Sequence, residues 1–388
     1  MPDPEALQRI VESRLSRYLG ELEQLVNVDC GSYTPDGVNR VADVVADGLR
    51  SLGARVERIN HHPASGEQQL GDLVVGRVAG EGPRLLLIGH MDTVFDEGTV
   101  AERPYRVEGE RALGPGTSDM KGGLLAGLHA VAALHDMGER PSVTFVANPD
   151  EEIGSVFSGP HIRRLAAEHD AALVLECARA NGDIVSARKG IADLEITFTG
   201  RAAHAGVEPE KGRSAILAAA RVVNRLHDLN DRWPSVTVNA GVIAGGTRPN
   251  VVAERCSVQL DLRAATGAEF DQAYGEVERL IGHPAVDGVR ADLGRMAHHP
   301  PMERTPGIAR LAELAIGIAA ELGFELHDTL TGGASDANTT SNAGLPTLDG
   351  LGPIGGDDHS ADEWLDLSSV VPRTTLLALL IARAGDAL

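Results

Sequence analysis

The chain has 388 residues, which is enough for two or three domains with a substantial core. Its formal net charge of -21 disfavours nucleic acid or an anionic membrane surface as a partner. An anionic substrate is still possible, because a few local Arg residues can outweigh a distant acidic surface.

Cysteine usage and hydropathy bear on the compartment. The cysteines are widely separated and form no CxxC pair; they are Cys30, Cys177 and Cys256. The N-terminus is acidic and lacks the features of a signal peptide, and no stretch of about 18 apolar residues predicts a membrane span. These patterns favour a cytoplasmic protein in a reducing compartment.

The first half of the chain alternates helical and strand patterns. Apolar residues at helical spacing predict helices over 4–26, 37–52, 122–135 and 158–168. Short apolar runs predict strands over 72–78, 84–88, 142–147 and 171–175. This alternation predicts an α/β fold with a mostly parallel sheet and helices on both faces.

The pattern changes after residue 189 and changes back near residue 300. The intervening segment predicts strands and helices in ferredoxin-like order, over 193–199, 214–226, 235–240, 256–262, 267–281 and 289–293. Predicted helices over 306–322 and 368–384 then return to the pattern of the first half of the chain. We therefore predict one domain from 1–187 and 298–388, with a second domain, 188–297, inserted into it.

Potential metal ligands follow the predicted buried strands, at the sheet edge where α/β proteins bind ligands. His90 and Asp92 follow the strand 84–88, so His90 offers an imidazole nitrogen and Asp92 can accept the other ring N–H. Asp119 lies in a Gly-rich loop. That loop lacks Walker spacing, and Asp119 alone could equally be a helix cap.

Further carboxylates and an imidazole extend the set. Glu151 and Glu152 follow the strand 142–147, and adjacent Glu residues can divide metal binding and proton transfer between them. Glu176 follows the next strand, and His359 lies in a late Gly-rich loop. Taken singly, these are an acidic loop, a loop carboxylate and a surface His. Together they suit two zinc ions that share a bridging carboxylate, with cobalt or manganese as substitutes.

Six motifs occur in order along the chain: GHMDTV, GPGTSDMKGG, NPDEEIGS, RAAHAG, GGTRPNVV and GGASDAN. With them, the chain resembles the dinuclear zinc amidohydrolases, which include aminoacylases, acetylornithine deacetylases, succinyl-diaminopimelate desuccinylases and glutamate carboxypeptidases. The resemblance covers about residues 20–385. The segments DCGSYTPDGVNRVAD and LDGLGPIGGDDHS are most similar to the glutamate carboxypeptidase branch.

This resemblance implies a role for each matching position. One zinc would bind His90, Asp119 and Glu176, and the other would bind Asp119, Glu152 and His359, with Asp119 as the bridge. Cys177 stands where relatives often have Pro, which removes no ligand.

The same resemblance implies the catalytic and substrate-binding residues. Glu151 would be the general base, Asp92 the partner of His90, and His204 the residue that polarises the scissile carbonyl. Asn250, Arg263 and the loop around Gly333 would bind the substrate. The inserted domain would act as a lid and form a homodimer, in which His204 often serves the partner's site.

The predicted function is zinc-dependent hydrolysis of an amide bond to a carboxylate-bearing amino acid, as in a glutamate carboxypeptidase. The alternatives are an N-acyl amino acid deacylase with the same chemistry, a non-catalytic relative that binds such conjugates, and a metal-free binding module. The acyl group and the amino-acid side chain are left open.

Overall fold

A computed structural model describes residues 2–283 and 286–388. The chain divides into two compact units. The larger unit contains Met1–Ser186, Arg304–Leu330 and Ser335–Leu388, and the smaller contains Ala187–Glu303 with Thr331–Ala334.

The strands and helices of the described residues are as follows. The strands are β1 Arg55–Ile59, β2 Leu73–Val78, β3 Glu81–His90, β4 Arg106–Glu108, β5 Arg111–Leu113, β6 Pro141–Asn148, β7 Ala171–Val174, β8 Ile184–Arg188, β9 Gly190–Thr199, β10 Thr237–Gly245, β11 Arg255–Ala264, β12 Arg290–His299, β13 Asp328–Thr331, β14 Thr347–Leu348, β15 Gly355–Gly356 and β16 Trp364–Asp366. The helices are α1 Pro4–Ser13, α2 Leu15–Val26, α3 Pro35–Ser51, α4 Thr99–Glu102, α5 Gly122–Asp136, α6 Gly159–Ala166, α7 Ala215–His227, α8 Gly267–Gly282, α9 Pro306–Glu321, α10 Asp336–Asn342 and α11 Val370–Arg383.

The larger unit has a six-stranded sheet in the order β1-β2-β6-β3-β7-β14. Neighbours from β6 to β14 run parallel, whereas β1 and β2 add antiparallel pairs at one edge. Every residue of β7 is buried, which explains its continuous apolar sequence. The predicted mostly parallel α/β sheet is confirmed.

The smaller unit has a four-stranded antiparallel sheet in the order β10-β11-β9-β12, with α7 and α8 in the connections. Buried and less buried residues alternate along β9, as the alternating sequence predicts for a sheet with one covered face. Ser214 and Thr266 cap α7 and α8 by accepting backbone N–H groups. This order of strands is the predicted ferredoxin-like arrangement.

The boundaries of this unit differ from those that the sequence predicts. The prediction is 188–297, but β12 continues to His299 and the unit runs to Glu303. It also takes in Thr331–Ala334, whose backbone bonds to residues at the start of the unit: Lys189 N–H donates to the Thr331 carbonyl at 3.0 Å. Local sequence patterns do not report contacts between residues that are far apart in the chain.

Other differences are local. The predicted helix over 4–26 is two helices, Pro4–Ser13 and Leu15–Val26, with Arg14 between them. The stretch Leu367–Asp386 has the length of a membrane span, and the mean hydropathy of its most apolar window is 1.3. However, 67% of its most apolar window is buried within the fold, as in a core helix.

Candidate metal and catalytic site

Three neighbouring strands of the larger unit bring the predicted ligands to one edge of the sheet. His90 ends β3 and pairs in parallel register with Asn148, which ends β6. Ile88 pairs with Val174 at the end of β7, so Glu176 follows at the same edge. The sheet register therefore places the His90, Glu151–Glu152 and Glu176 segments side by side.

His90 is held with one ring nitrogen directed at carboxylates. Its side chain is buried, and Nδ1 lies 3.0 Å from the main-chain oxygen of Asp92. Since a carbonyl only accepts hydrogen bonds, Nδ1 carries a proton, and Nε2 is the ring nitrogen that faces the carboxylates. Nε2 lies 2.9 Å from Asp119 Oδ1 and 3.8 Å from Glu176 Oε1.

Asp92 contacts more groups than the sequence predicts. Its carboxylate is 3.4 Å from His90 Nδ1, but its shorter bonds are elsewhere. Oδ1 accepts from Glu151 N–H at 3.1 Å, and Oδ2 accepts from Glu152 N–H at 3.1 Å and Ser32 Oγ at 2.6 Å. Asp92 thus joins the His90 segment to the Glu151–Glu152 turn.

Asp119 lies between the two imidazoles. Its Oδ1 faces His90, and its Oδ2 is 3.2 Å from His359 Nε2. Glu152 Oε2 is also 3.2 Å from that nitrogen. The two oxygens of the Asp119 carboxylate therefore face two different imidazoles, those of His90 and His359.

The chemistry of this donor set fits divalent cations. Candidate groups whose ligand atoms lie within 4.8 Å of one another are His90, Glu151 and Glu176, and His90, Asp119 and Glu152. Hydrogen bonds to Asp119 and Glu152 raise the pKa of His359 to about 11. Such a concentration of carboxylates demands positive charge, and nitrogen and oxygen ligands of this kind suit zinc.

The environment of Glu151 favours the protonated form of its side chain. Desolvation by the surrounding protein raises its pKa well above the usual range, and the charge of Glu176 adds to this rise, whereas His90 opposes it. A carboxylate with a raised pKa can take a proton from water and later return it.

A buried polar network supports the turn that carries Glu151. Asn148 Nδ2 donates to Ser155 Oγ at 2.9 Å and to Asp336 Oδ2 at 2.6 Å, and Ser155 Oγ donates to Asp336 Oδ1 at 2.6 Å. Burial raises the pKa of Asp336 to about 6, although these hydrogen bonds lower it. Asp336 belongs to the GGASDAN motif, which the sequence associates only with substrate binding.

The smaller unit holds the other predicted residues. His204 and Asn250 are exposed on adjacent loops, where Ala205 N–H donates to the Asn250 carbonyl at 3.0 Å. Arg263 on β11 donates from Nη2 to Asp261 Oδ2 at 2.9 Å and from Nη1 to the Gly332 carbonyl at 2.8 Å. The Gly333 carbonyl accepts from Arg188 at 3.0 Å. Their substrate roles stay predictions.

One buried carboxylate beside the site was not foreseen. Glu363 accepts backbone N–H groups from the loop that bears Asp119. Its sequence context, ADEW, contains no strand end or glycine that marks it as important.

Comparisons with known proteins bear on the family and the fold of the chain. Residues 86–383 match the model of peptidase family M20/M25/M40. The chain is 31% identical to carboxypeptidase G2 of Pseudomonas sp. (strain RS-16), over 94% of this chain and 88% of that protein. It is 30% identical to acetylornithine deacetylase of Pasteurella multocida (strain Pm70), over 90% and 92% of the two chains.

A solved structure with a similar fold is a tripeptidase from Staphylococcus aureus. The TM-score is 0.78 at 20% sequence identity, and the match covers 96% of this chain and 99% of that one. At this identity the similarity bears on the fold.

Proposed function

The chain belongs to peptidase family M20/M25/M40 and is a hydrolase, and from that premise we propose that it uses two zinc ions to cleave the amide or peptide bond to a carboxylate-bearing amino acid. The observation that carries this proposal is the position of Asp119 between His90 and His359, with Glu151 and Glu152 beside them. The 31% identity to carboxypeptidase G2 supports the carboxypeptidase-like form of the reaction.

His90, Asp119 and Glu176 would hold one ion, and Asp119, Glu152 and His359 the other. When bound, such ions make a water more acidic and withdraw electrons from a carbonyl. Cobalt or manganese would also suit these ligands.

Glu151 would accept the proton of the attacking water and then deliver it to the nitrogen of the leaving amine. Asp92 binds the Glu151 main chain and the His90 ring, so both residues are already positioned before substrate binds. His204 would donate to the carbonyl oxygen as negative charge develops on it.

Arg263 and Asn250 would bind the carboxylate of the leaving amino acid. A guanidinium suits this role because its planar N–H groups match the two oxygens of a carboxylate. Asp261 and the Gly332 carbonyl orient the Arg263 side chain.

Hydrolysis of a matched substrate panel tests the proposal. The panel contains acyl- and peptidyl-glutamates and aspartates, N-acetylornithine and other N-acyl amino acids, each as free acid and as amide. We expect cleavage of the free acids that is strongest for Glu or Asp conjugates, abolished by a chelator and restored by zinc. A protein that binds two zinc ions without turnover would instead be a binding relative.

The second candidate is an N-acyl amino acid deacylase, favoured by the 30% identity to acetylornithine deacetylase. It uses the same residues and differs only in the acyl group that is released. Cleavage confined to simple N-acyl amino acids would support it.

We also propose a cytoplasmic homodimer formed through the smaller unit. The strand β10 lies at the edge of its sheet and exposes Val242 and Ile243, which are 49% and 55% accessible. An apolar edge strand can pair with a second copy. We expect a dimer mass in sedimentation at micromolar concentration and a monomer for the double variant V242K/I243K; a fully active wild-type monomer would contradict the dimer.

A further inference from the structure

The hairpin that carries His359 also contacts the loop that carries Asp119. Strands β15 and β16 form this hairpin, with Gly356 paired to Trp364, and His359 lies in the turn between them. The other edge of β16 pairs with β5, where Trp364 lies opposite Leu113. Glu363, directly before β16, therefore lies beside the loop that follows β5.

Glu363 is buried, with 2% of its surface exposed, and its oxygens accept from three backbone groups of that loop. Oε2 accepts from Gly116 N–H at 2.9 Å, and Oε1 accepts from Ser118 N–H at 2.8 Å and Asp119 N–H at 3.0 Å. These N–H groups sit where Gly116 has a positive φ of 72° and the chain forms no regular helix, so local backbone partners are scarce.

We propose that Glu363 is a positioning residue that fixes Asp119 for two cations; this inference rests on the proposed function. If Asp119 gave one oxygen to each cation, a small rotation of its backbone would weaken both sites together. Glu363 prevents this rotation by binding the Asp119 N–H and the two N–H groups nearby. Since Glu363 and His359 share one hairpin, the same contact also sets the position of His359 relative to Asp119.

The principal variant is Glu363→Gln. Its single carbonyl oxygen can still accept from Ser118 and Asp119, but the amide nitrogen then faces Gly116 N–H, and two donors cannot bond. Glu363→Asp keeps the charge but is shorter by one methylene, so it cannot reach all three groups. Both changes disturb the loop and leave every proposed ligand in place.

Asp170→Asn is the matched control. The Asp170 carboxylate accepts from Arg84 N–H at 2.8 Å and also binds the Arg84 guanidinium. Arg84 precedes His90 by six residues along β3, so this contact lies about 20 Å from the site along the strand. Like Glu363→Gln, the control replaces one oxygen of a carboxylate that binds backbone by an amide nitrogen, without touching the proposed ligands.

The readouts are the zinc dissociation constants, measured by competition with a chromogenic chelator, and the absorption spectrum of the cobalt-loaded protein. For E363Q we expect zinc binding to be weaker by about 10–100-fold and the cobalt spectrum to change. Replacing residues that hydrogen-bond to the residues that bind a metal lowers metal affinity by this amount. E363D should also bind zinc more weakly than wild type, and D170N should match wild type. All titrations are run on folded metal-free protein, checked by circular dichroism below its Tm.

Wild-type zinc affinity and cobalt spectrum in E363Q or E363D would overturn the inference, as would an equal loss in D170N. Failure of the wild-type protein to bind two cations would instead overturn the proposed function. The two failures are therefore distinct.

Discussion

The candidate site of the larger unit is held differently from the predicted functional residues of the smaller unit. Asp92, Asn148 and Asp336 are buried, and hydrogen bonds connect them with the segments that carry the proposed metal ligands and Glu151. In the smaller unit, His204 and Asn250 lie on exposed loops, and all of residues 241–250 are exposed.

This contrast matches two physical requirements. Groups that hold cations and transfer protons must keep their geometry before substrate arrives, which buried hydrogen bonds achieve. Groups that recognise a substrate must be accessible in the free protein. We therefore expect changes in the larger unit to affect kcat, metal binding or stability, and changes in the smaller unit to affect substrate selectivity.

The largest expected effect is that of Glu151→Gln. Glutamine preserves the shape of the side chain but accepts a proton poorly, so kcat should fall by about 10²–10⁴-fold. Zinc content, measured by elemental analysis, should remain at the wild-type value because Glu151 is not among the proposed ligands. Near-normal turnover would remove Glu151 from its role, and loss of zinc would make it a ligand.

Arg263→Ala should have a smaller and more selective effect. Loss of a charged hydrogen-bond donor to the substrate carboxylate should lower kcat/KM by about 10–100-fold for free-acid substrates, with little change for the corresponding amides. The measurement is steady-state kinetics on matched acid and amide pairs.

Arg290→Ala provides the control for Arg263. Arg290 also pairs with an Asp two residues away on a strand of the same sheet, with Nη2 2.7 Å from Asp292 Oδ2. Its replacement should leave both substrate classes unchanged. Equal losses on acids and amides in R263A would contradict a carboxylate-binding role.

Strong local signals explain which parts of the fold the sequence predicts. The strands of the larger sheet are apolar runs of the right length, and the parallel order then places His90, Glu151 and Glu176 at one edge. The ferredoxin-like unit follows equally from alternating strands and capped helices. The roles of the site residues stay predictions.

The sequence does not predict α10, because its residues, DANTTSN, have low helix propensity. The helix forms because Ser335 and Asn338 make a capping box and its residues are buried against the fold. Glu363 and Asp336 are missed for a related reason. Their partners lie 244 to 247 and 181 to 188 residues away, respectively, and no local pattern reports such contacts.

The smallest expected effect is on stability, and it tests whether buried hydrogen bonds hold the candidate site of the larger unit. Ser155→Ala leaves Asp336 and Asn148 each without one buried partner, so the free energy of unfolding should fall by about 1–3 kcal/mol, with a loss of about 1–2 °C in Tm per kcal/mol. Ser13→Ala removes an exposed hydroxyl that donates to the Ile10 carbonyl at 2.7 Å, and its Tm should change little. Calorimetry of metal-free protein measures both. If S155A and S13A have the same Tm, the network does not hold the Glu151 turn, and the division between a fixed centre and accessible recognition loops loses its main support.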